Sequence, residues 1–230
     1  MKKQVKPKVS IVMTAYIQER YQCHMTMLAL DCISKYTEPW DYELILMSDS
    51  EKFPVRNDYN TLKIDKYIKT EGESYTQAMN HGATNAQGDV LVFIQNDVFV
   101  QEGWLEDLLY YIETGYECVF PDQAPRSREY IKETYKRDMD DPESLMGSRD
   151  AGLMMITREA YERTGKWNEE LTLLCERDFY ERMEKAHTKW TDTNKVQINH
   201  IMAATNLHIL DTNPADYDAK MKNDADILNK

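Results

Sequence analysis

Positive charge is scarce in this sequence. Lys and Arg total 28 against 40 Asp and Glu, which gives a formal net charge of −12 over 230 residues. This balance excludes proteins that wrap nucleic acid or lie on an anionic membrane, since both need extended basic surfaces. A local basic cluster that holds a small anion remains compatible with it.

Cysteine and long apolar runs are also scarce. The four cysteines contain no Cys-x-x-Cys pair, which predicts thiols in a reducing compartment. No apolar run approaches the length of a membrane span, and none follows the basic start MKKQVKPK as in a signal peptide. We therefore expect a cytoplasmic protein without a transmembrane segment.

Short apolar runs alternate with amphipathic segments along most of the chain. This alternation predicts an α/β sheet with helices on its faces. We expect helices over 21–36, 74–88, 102–115 and 176–190, the second ending at a C-cap glycine, Gly88. Strands are expected over 8–16, 42–50, 62–69, 89–97, 116–121 and 195–202, and the stretch 151–165 should contain a strand followed by a helix.

Polar residues follow three of the expected strands. In open α/β sheets, ligands bind beyond the carboxyl ends of the strands, so a site is expected there. Asp97 follows a buried run, and its carboxylate could hold a hard divalent cation that neutralises phosphate oxygens. The alternative is a residue of a strand-end turn, where Asp is common. The three polar segments are Thr14-Ala15-Tyr16, Ser48-Asp49-Ser50 and Gln95-Asn96-Asp97.

The stretch NHGATNAQGDVLVFIQNDVFVQEGWLEDLL resembles the central segment of family 2 glycosyltransferases of the GT-A type. Asn80, Gly82, Gly88 and the Gly-Trp-Leu beginning at Gly103 match its pattern. Gln95-Asn96-Asp97 stands at the DxD position and is most similar to the Asn-Asn-Asp variant of the rhamnosyltransferase-like branch. The resemblance covers roughly residues 9–205.

The resemblance implies a GT-A fold, an α/β architecture with a mixed, mostly parallel central sheet and helices on both faces. It implies one domain over 1–210 with a charged insertion at about 122–148, leaving 211–230 as a polar, peripheral tail. The implied activity is transfer of a hexosyl or deoxyhexosyl group from a nucleotide-diphosphate sugar to an acceptor hydroxyl, in glycan biosynthesis or on another acceptor. Inversion at the anomeric carbon is implied at the family level.

The resemblance also assigns residues to roles. Glu176 matches the family's catalytic acid and would be the base, and Asp178 would support it. Mg²⁺ or Mn²⁺ would be held by Asp97 and His200. The donor would contact Thr14, Ala15, Tyr16, Asp49, Asn80, Gln95, Asn96, Asp97, Arg149 and Asp150.

Each of the matched charged residues has a structural alternative. Glu176 could be a first-turn acid that interacts favourably with the helix dipole, and Asp178 could form an i,i+4 pair with Arg182. His200 could be a satisfied core histidine. Because Gln95 replaces the first acid of the DxD motif, the metal would enter largely with the donor, and a metal-independent enzyme stays possible.

Two rival functions remain open. A nucleotidyltransferase should carry a glycine-rich phosphate loop after the first strand, and TAYIQERY contains no glycine. A catalytically degenerate module that binds a sugar nucleotide or a glycan is favoured by Gln95 and by the altered Glu176-Arg177-Asp178 motif.

Overall fold

The computed structural model describes residues 9–38, 40–48, 62–124, 152–201 and 213–229. Its helices are α1 (Arg20–Thr37), α2 (Tyr75–Asn85), α3 (Trp104–Glu113), α4 (Arg158–Thr164), α5 (Cys175–Lys185) and α6 (Pro214–Leu228). Its strands are β1 (Val9–Thr14), β2 (Tyr42–Ser48), β3 (Lys66–Lys69), β4 (Val90–Gln95), β5 (Val98–Phe99), β6 (Cys118–Gln123), β7 (Leu153–Thr157) and β8 (Trp190–His200).

The strands form one eight-stranded sheet in the order β3-β2-β1-β4-β7-β6-β8-β5. The pairs β1–β2, β1–β4, β2–β3 and β6–β8 are parallel, whereas β4–β7, β6–β7 and β5–β8 are antiparallel. The expected α/β fold with a mixed, mostly parallel sheet is confirmed. The short strand β3 lies at an edge, where its half-buried residues fit.

Both faces of the sheet are covered by helices, which explains why the central strands are apolar throughout. Successive residues of a strand point to opposite faces. Ile11 therefore packs with α1 and α3 on one face, while Val12 packs with α2, α4 and α5 on the other. All six residues of β1 and the first five of β4 are buried.

Two glycines let the chain approach β1 closely. A Cβ on Gly82 of α2 would lie 2.3 Å from Val12 Cγ1, so only glycine lets the helix sit this near the sheet. Gly88 is not the helix C-cap that its position suggested. α2 ends at Asn85 with Ala86 as its C-cap. A Cβ on Gly88 would lie 2.7 Å from the backbone nitrogen of Ser10, so its role is close packing.

Glu43 of β2 is the centre of a buried polar network near the amino ends of the strands. Its carboxylate, 8% exposed, accepts hydrogen bonds from Ser10 Oγ at 2.6 Å, from Lys66 Nζ at 3.0 Å and from the backbone N–H of Gln87. Burial by itself would raise the pKa of Glu43, but these hydrogen bonds and the Lys66 charge outweigh burial and hold the pKa below its usual value. The network joins β1, β2, β3 and the loop after α2.

The C-terminal part of the chain differs from expectation. The helix expected over 176–190 ends at Lys185, and residues from Trp190 onward belong to β8. Residues 214–228, expected within a peripheral tail, form α6, and Asp224 in this helix is fully buried. Within the described ranges, no helix is long and apolar enough to cross a membrane. Asp49, Arg149, Asp150 and most of the expected insertion lie outside the described residues.

Candidate active site

A cleft opens at the carboxyl ends of β1, β2 and β4. The parallel register places Thr14 level with both Met47 and Gln95, so the polar segments that follow β1 and β4 lie side by side. The backbone N–H of Ala15 donates to Met47 O at 2.8 Å, and Ser48 Oγ donates to Ala15 O at 2.8 Å. These bonds hold the chain at the start of the cleft.

Three parts of the chain line this cavity of about 260 Å³. The strand ends contribute Thr14, Ala15, Tyr16, Met47, Gln95, Asn96 and Asp97. The approach to α2 and its first turn contribute Thr70, Glu73, Ser74, Tyr75 and Ala78, and the C-terminal part contributes Thr172, Leu173, Cys175, Glu176 and Lys220. The structure therefore brings together six expected donor-binding residues and the expected base Glu176.

Asp97 and His200 form a buried pair beside the cleft. Asp97 Oδ1 lies 3.2 Å from His200 Nε2, and each residue is 3% exposed. The pair is held by the backbone, because β5 pairs with β8 with Val98 opposite His200, and the N–H of Ile201 donates to Asp97 O at 3.1 Å. Two ligands at right angles on one cation, each at about 2.1 Å, would be about 3.0 Å apart. The spacing fits a carboxylate and an imidazole on one divalent cation.

The surroundings of His200 fix its ring. Gln123 Nε2 lies 3.4 Å from His200 Nδ1. Gly152 lies against the ring: a Cβ there would be 2.5 Å from Nδ1 and 2.7 Å from Cε1. The carbonyl of Gly152 also accepts the backbone N–H of Gln95 at 2.9 Å. Gly152 therefore joins the DxD position to the histidine, a role that its sequence context did not indicate.

Asn96 and Gln95 occupy different environments. Asn96 is 7% exposed, and its Nδ2 donates to Thr26 Oγ1 of α1 at 2.8 Å. Thr26 in turn donates to the carbonyl of Gln22 at 2.7 Å. The middle position of the motif thus supports the turn from β4 to β5, while Gln95 is half-buried at the end of β4.

Glu176 lies in the first turn of α5, half-buried and facing the cleft. The helix N-terminus interacts favourably with the negative charge of this side chain, and a carboxylate that faces the cleft can accept a proton from a bound hydroxyl. Its neighbour Cys175 also lines the cleft. Burial raises the pKa of the Cys175 thiol well above its usual value, and the charges of Glu176 and Asp224 add to this. Cys175 is therefore a neutral thiol and a poor nucleophile.

Asp178 and Asn80 lie outside the cleft lining. Asp178 accepts two hydrogen bonds from Arg182, at 2.9 and 2.6 Å, which is the structural i,i+4 alternative. Asn80 Nδ2 donates to Trp167 O at 3.0 Å and to Glu169 Oε1 at 2.7 Å. Its Oδ1 accepts from Tyr161 Oη at 2.6 Å and from Trp167 N at 3.0 Å. These hydrogen bonds are structural, and the roles expected of Asp178 in catalysis and of Asn80 in donor binding stay predictions.

The charge of the cleft is mostly negative. Its described lining carries three carboxylates, Glu73, Asp97 and Glu176, and one ammonium, Lys220. Sequence reasoning missed Glu73 and Lys220. An anionic ligand in this cleft needs cations to balance these charges. Among the described residues, however, no cluster of three or more His, Cys, Asp or Glu side chains could hold a metal ion. A cation at Asp97 and His200 would take its other ligands from the bound anion and water.

Comparisons with known proteins bear on this site. The model of the family described as glycosyl transferase family 2 matches residues 10–171. The chain is similar in structure to the mannosyltransferase PcManGT from Pyrobaculum calidifontis, solved in complex with GDP-Man and Mn²⁺. The TM-score is 0.69 at 16% identity, over 98% of this chain. The chain spans 65% of that structure's length. No curated protein matches the sequence.

Proposed function

The chain belongs to glycosyl transferase family 2, and from that premise we propose that it transfers a sugar from a nucleotide-diphosphate donor to an acceptor hydroxyl. The observation that carries this proposal is the convergence of three segments on one cleft. Residues that follow β1, residues that follow β4 and Glu176 of α5 all line it. This convergence supports a donor pocket that has a carboxylate in the same cavity.

Tyr16 and Asp97 suggest how the donor lies in this cleft. Tyr16 is 42% exposed at the end of β1, where its ring can stack on a base. Asp97 lies at the end of β4 beside His200, where the diphosphate would bind. The donor would then run from β1 toward α5, with its sugar near Glu176. Asp49, Arg149 and Asp150 stay proposed donor contacts.

A divalent cation fits Asp97 and His200. When bound, Mg²⁺ or Mn²⁺ would offset the negative charge that develops on the leaving diphosphate. Because Asp97 is the only carboxylate of the pair, affinity for the cation in the absence of nucleotide should be weak. The three carboxylates of the cleft would repel an anionic donor, so a cation that binds with the donor would reduce this repulsion.

Glu176 would act as the base. In an inverting transfer, its carboxylate accepts the proton of the acceptor hydroxyl as that oxygen attacks the anomeric carbon, and the bond to the diphosphate oxygen breaks. The first turn of α5 holds the group at the lining of the cleft. Asp178 would act only by holding Arg182 and α5 in place.

The donor class has two supported candidates. PcManGT was solved with GDP-Man, which supports a guanosine-linked hexose. The likeness of Gln95-Asn96-Asp97 to the variant of the rhamnosyltransferase-like branch supports a deoxyhexose instead. A thermal-shift screen of UDP-, GDP-, dTDP- and CMP-linked sugars, with Mn²⁺ or with EDTA, distinguishes them. A bound donor raises Tm in proportion to its affinity and concentration. If no donor raises Tm under either condition, the proposed function is wrong.

A non-catalytic module is the second candidate, and Gln95 favours it. With an amide in place of the first acid, the described site offers one carboxylate and one imidazole to a cation. Such a protein would bind a sugar nucleotide without releasing the nucleoside diphosphate. Release of nucleoside diphosphate from a donor that raises Tm decides between the two candidates. Binding without release from any donor, across a panel of acceptors, would favour the module.

A further inference from the structure

Helix α6 is fastened to the cleft by a buried carboxylate. Asp224 is fully buried, and its Oδ2 accepts the backbone N–H groups of Thr172, Leu173 and Leu174 at 2.9, 2.6 and 2.9 Å. These three groups immediately precede α5, whose N-cap residue Leu174 has no capping side chain. Asp224 therefore holds the turn that leads into α5 from a distant helix, without capping the N–H groups of α5 itself. The contact ties α6 to the segment that leads to Glu176.

Lys220 projects from the same face of α6. It precedes Asp224 by four residues, so the two side chains are neighbours on the helix surface. Lys220 lines the cleft together with Asp97 and Glu176, and it is the only basic side chain among the described lining residues. Its present partner is Asp216, with Nζ 2.7 Å from Oδ2.

The pairing of Lys220 with Asp216 is easily exchanged. The two side chains are 35% and 42% exposed, and an i,i+4 pair at such exposure contributes little free energy. A diphosphate, which carries more negative charge than a single carboxylate, also offers the ammonium a charge-assisted hydrogen bond. Lys220 can therefore turn from Asp216 to an anion in the cleft at small cost.

We propose that α6 is a wall of the donor site, in which Lys220 binds the diphosphate of the nucleotide donor and Asp224 anchors the helix that carries it. The proposal rests on the proposed function, since it takes the nucleotide diphosphate as the ligand. In the transfer step the bond between the anomeric carbon and the diphosphate oxygen breaks, and the electron pair stays on that oxygen. The ammonium stabilises this charge and changes no covalent bond itself.

The test compares Lys220→Met with Lys222→Met. Lys222 is exposed on the same helix, so each variant loses one positive charge and long-range effects are matched. Calorimetry with Mn²⁺ measures binding of GDP, UDP and dTDP and of their nucleosides. For each diphosphate that binds the wild type, Lys220→Met should weaken binding by about tenfold or more, the loss of one charge-assisted hydrogen bond. Lys222→Met should stay close to wild type, nucleoside binding should be equal in all three proteins, and Lys220→Arg should restore affinity.

Asp224→Ala tests the anchor, with Asp226→Ala on the exposed side of α6 as its control. If Asp224 acts by placing Lys220, Asp224→Ala should weaken diphosphate binding about as much as Lys220→Met. Combining the two should then weaken it little further, because coupled residues are not additive. Additive losses, or an equal loss for the nucleosides, would contradict the anchoring role. Asp224→Asn replaces Asp224→Ala if circular dichroism shows that the alanine variant is unfolded.

The outcomes separate this proposal from the proposed function. If the wild type binds a diphosphate and Lys220→Met binds it as well as Lys222→Met does, Lys220 is not a diphosphate ligand, and the proposed function stands. If the wild type binds none of the three diphosphates with Mn²⁺, the proposed donor class fails and the assignment of Lys220 fails with it.

Discussion

Replacing Glu43 by Gln should destabilise the fold by about 3 kcal/mol at neutral pH. The glutamine keeps the shape of the side chain and one oxygen, so Ser10 and the N–H of Gln87 retain an acceptor that is no longer charged. A neutral hydrogen bond contributes about 1 kcal/mol less than a charge-assisted one, so these two bonds lose about 2 kcal/mol together. Loss of the ion pair with Lys66 adds only about 1 kcal/mol, because the Lys66 side chain is 32% exposed and solvent screens the pair.

The destabilisation by Glu43→Gln should depend on pH, and the lowered pKa of Glu43 sets the direction of this dependence. The pKa of Glu43 in the folded protein lies below its unfolded value near 4.5, so on acidification the unfolded chain takes up the proton first. The stabilisation is therefore complete above the unfolded pKa and disappears as the pH falls through the folded pKa. The difference in unfolding free energy between wild type and Glu43→Gln should be largest near pH 7 and should shrink below pH 4.5.

Urea unfolding of both proteins at a series of pH values from about 7 to 3.5 measures this difference. Glu102→Gln is the matched control, because Glu102 is exposed and should change stability by less than about 0.5 kcal/mol. A difference for Glu43→Gln as small as that of the control at pH 7 would show that the buried carboxylate charge does not stabilise the fold. So would a large difference that stays constant down to pH 3.5, since it would not come from the carboxylate charge.

Three further substitutions test the site. Gly152→Ala should displace the His200 ring and weaken Mn²⁺-dependent binding of nucleoside diphosphate by about tenfold. The double variant Gly152→Ala, His200→Ala should bind no more weakly than His200→Ala alone. Wild-type affinity in Gly152→Ala would contradict a role for the contact between Gly152 and His200. Asp178→Asn should lower Tm by about 2–4 °C and keep kcat within about twofold of wild type. A fall in kcat of about 100-fold would instead indicate that Asp178 is a catalytic residue. Asn80→Ala should lower the free energy of unfolding in urea by about 2–4 kcal/mol, because it leaves the buried partners of Asn80 without a hydrogen bond. The KM for the donor should stay unchanged. A raised KM would indicate that Asn80 contacts the donor.

The parts of the site that lie at strand ends could be predicted from sequence. Thr14 and Gln95 follow apolar runs in parallel strands, and the carboxyl ends of parallel strands meet at one edge of a sheet. The pattern of the chain therefore indicated where Asp97 would lie. Glu176 could be assigned as the base only through the family resemblance, because an acid in the first turn of a helix has the same local sequence pattern whether or not it faces a cleft.

The contacts between distant segments could not be predicted in this way. Nothing in the sequence near Gly152 encodes its close packing against His200, because that contact depends on how β7 and β8 are placed by the whole sheet. α6 was missed because it has little amphipathic pattern: only Asp224 of its residues is buried. One signal was available, namely Asn213 followed by Pro214, a typical cap and first residue of a helix.

The role of Glu176 as the base of a sugar transfer is tested most directly by the rate of nucleoside diphosphate release in wild type and in Glu176→Gln. This rate is measured with the donor that most raises Tm, in the presence of Mn²⁺, with Glu181→Gln as a control on the exposed face of α5. Glu176→Gln should lower kcat by about 100-fold or more, with donor affinity within about twofold of wild type. Glu181→Gln should keep the wild-type rate. An unchanged kcat in Glu176→Gln would show that Glu176 is not the base. A wild type that binds donors and never releases the diphosphate would show that the protein is not a transferase.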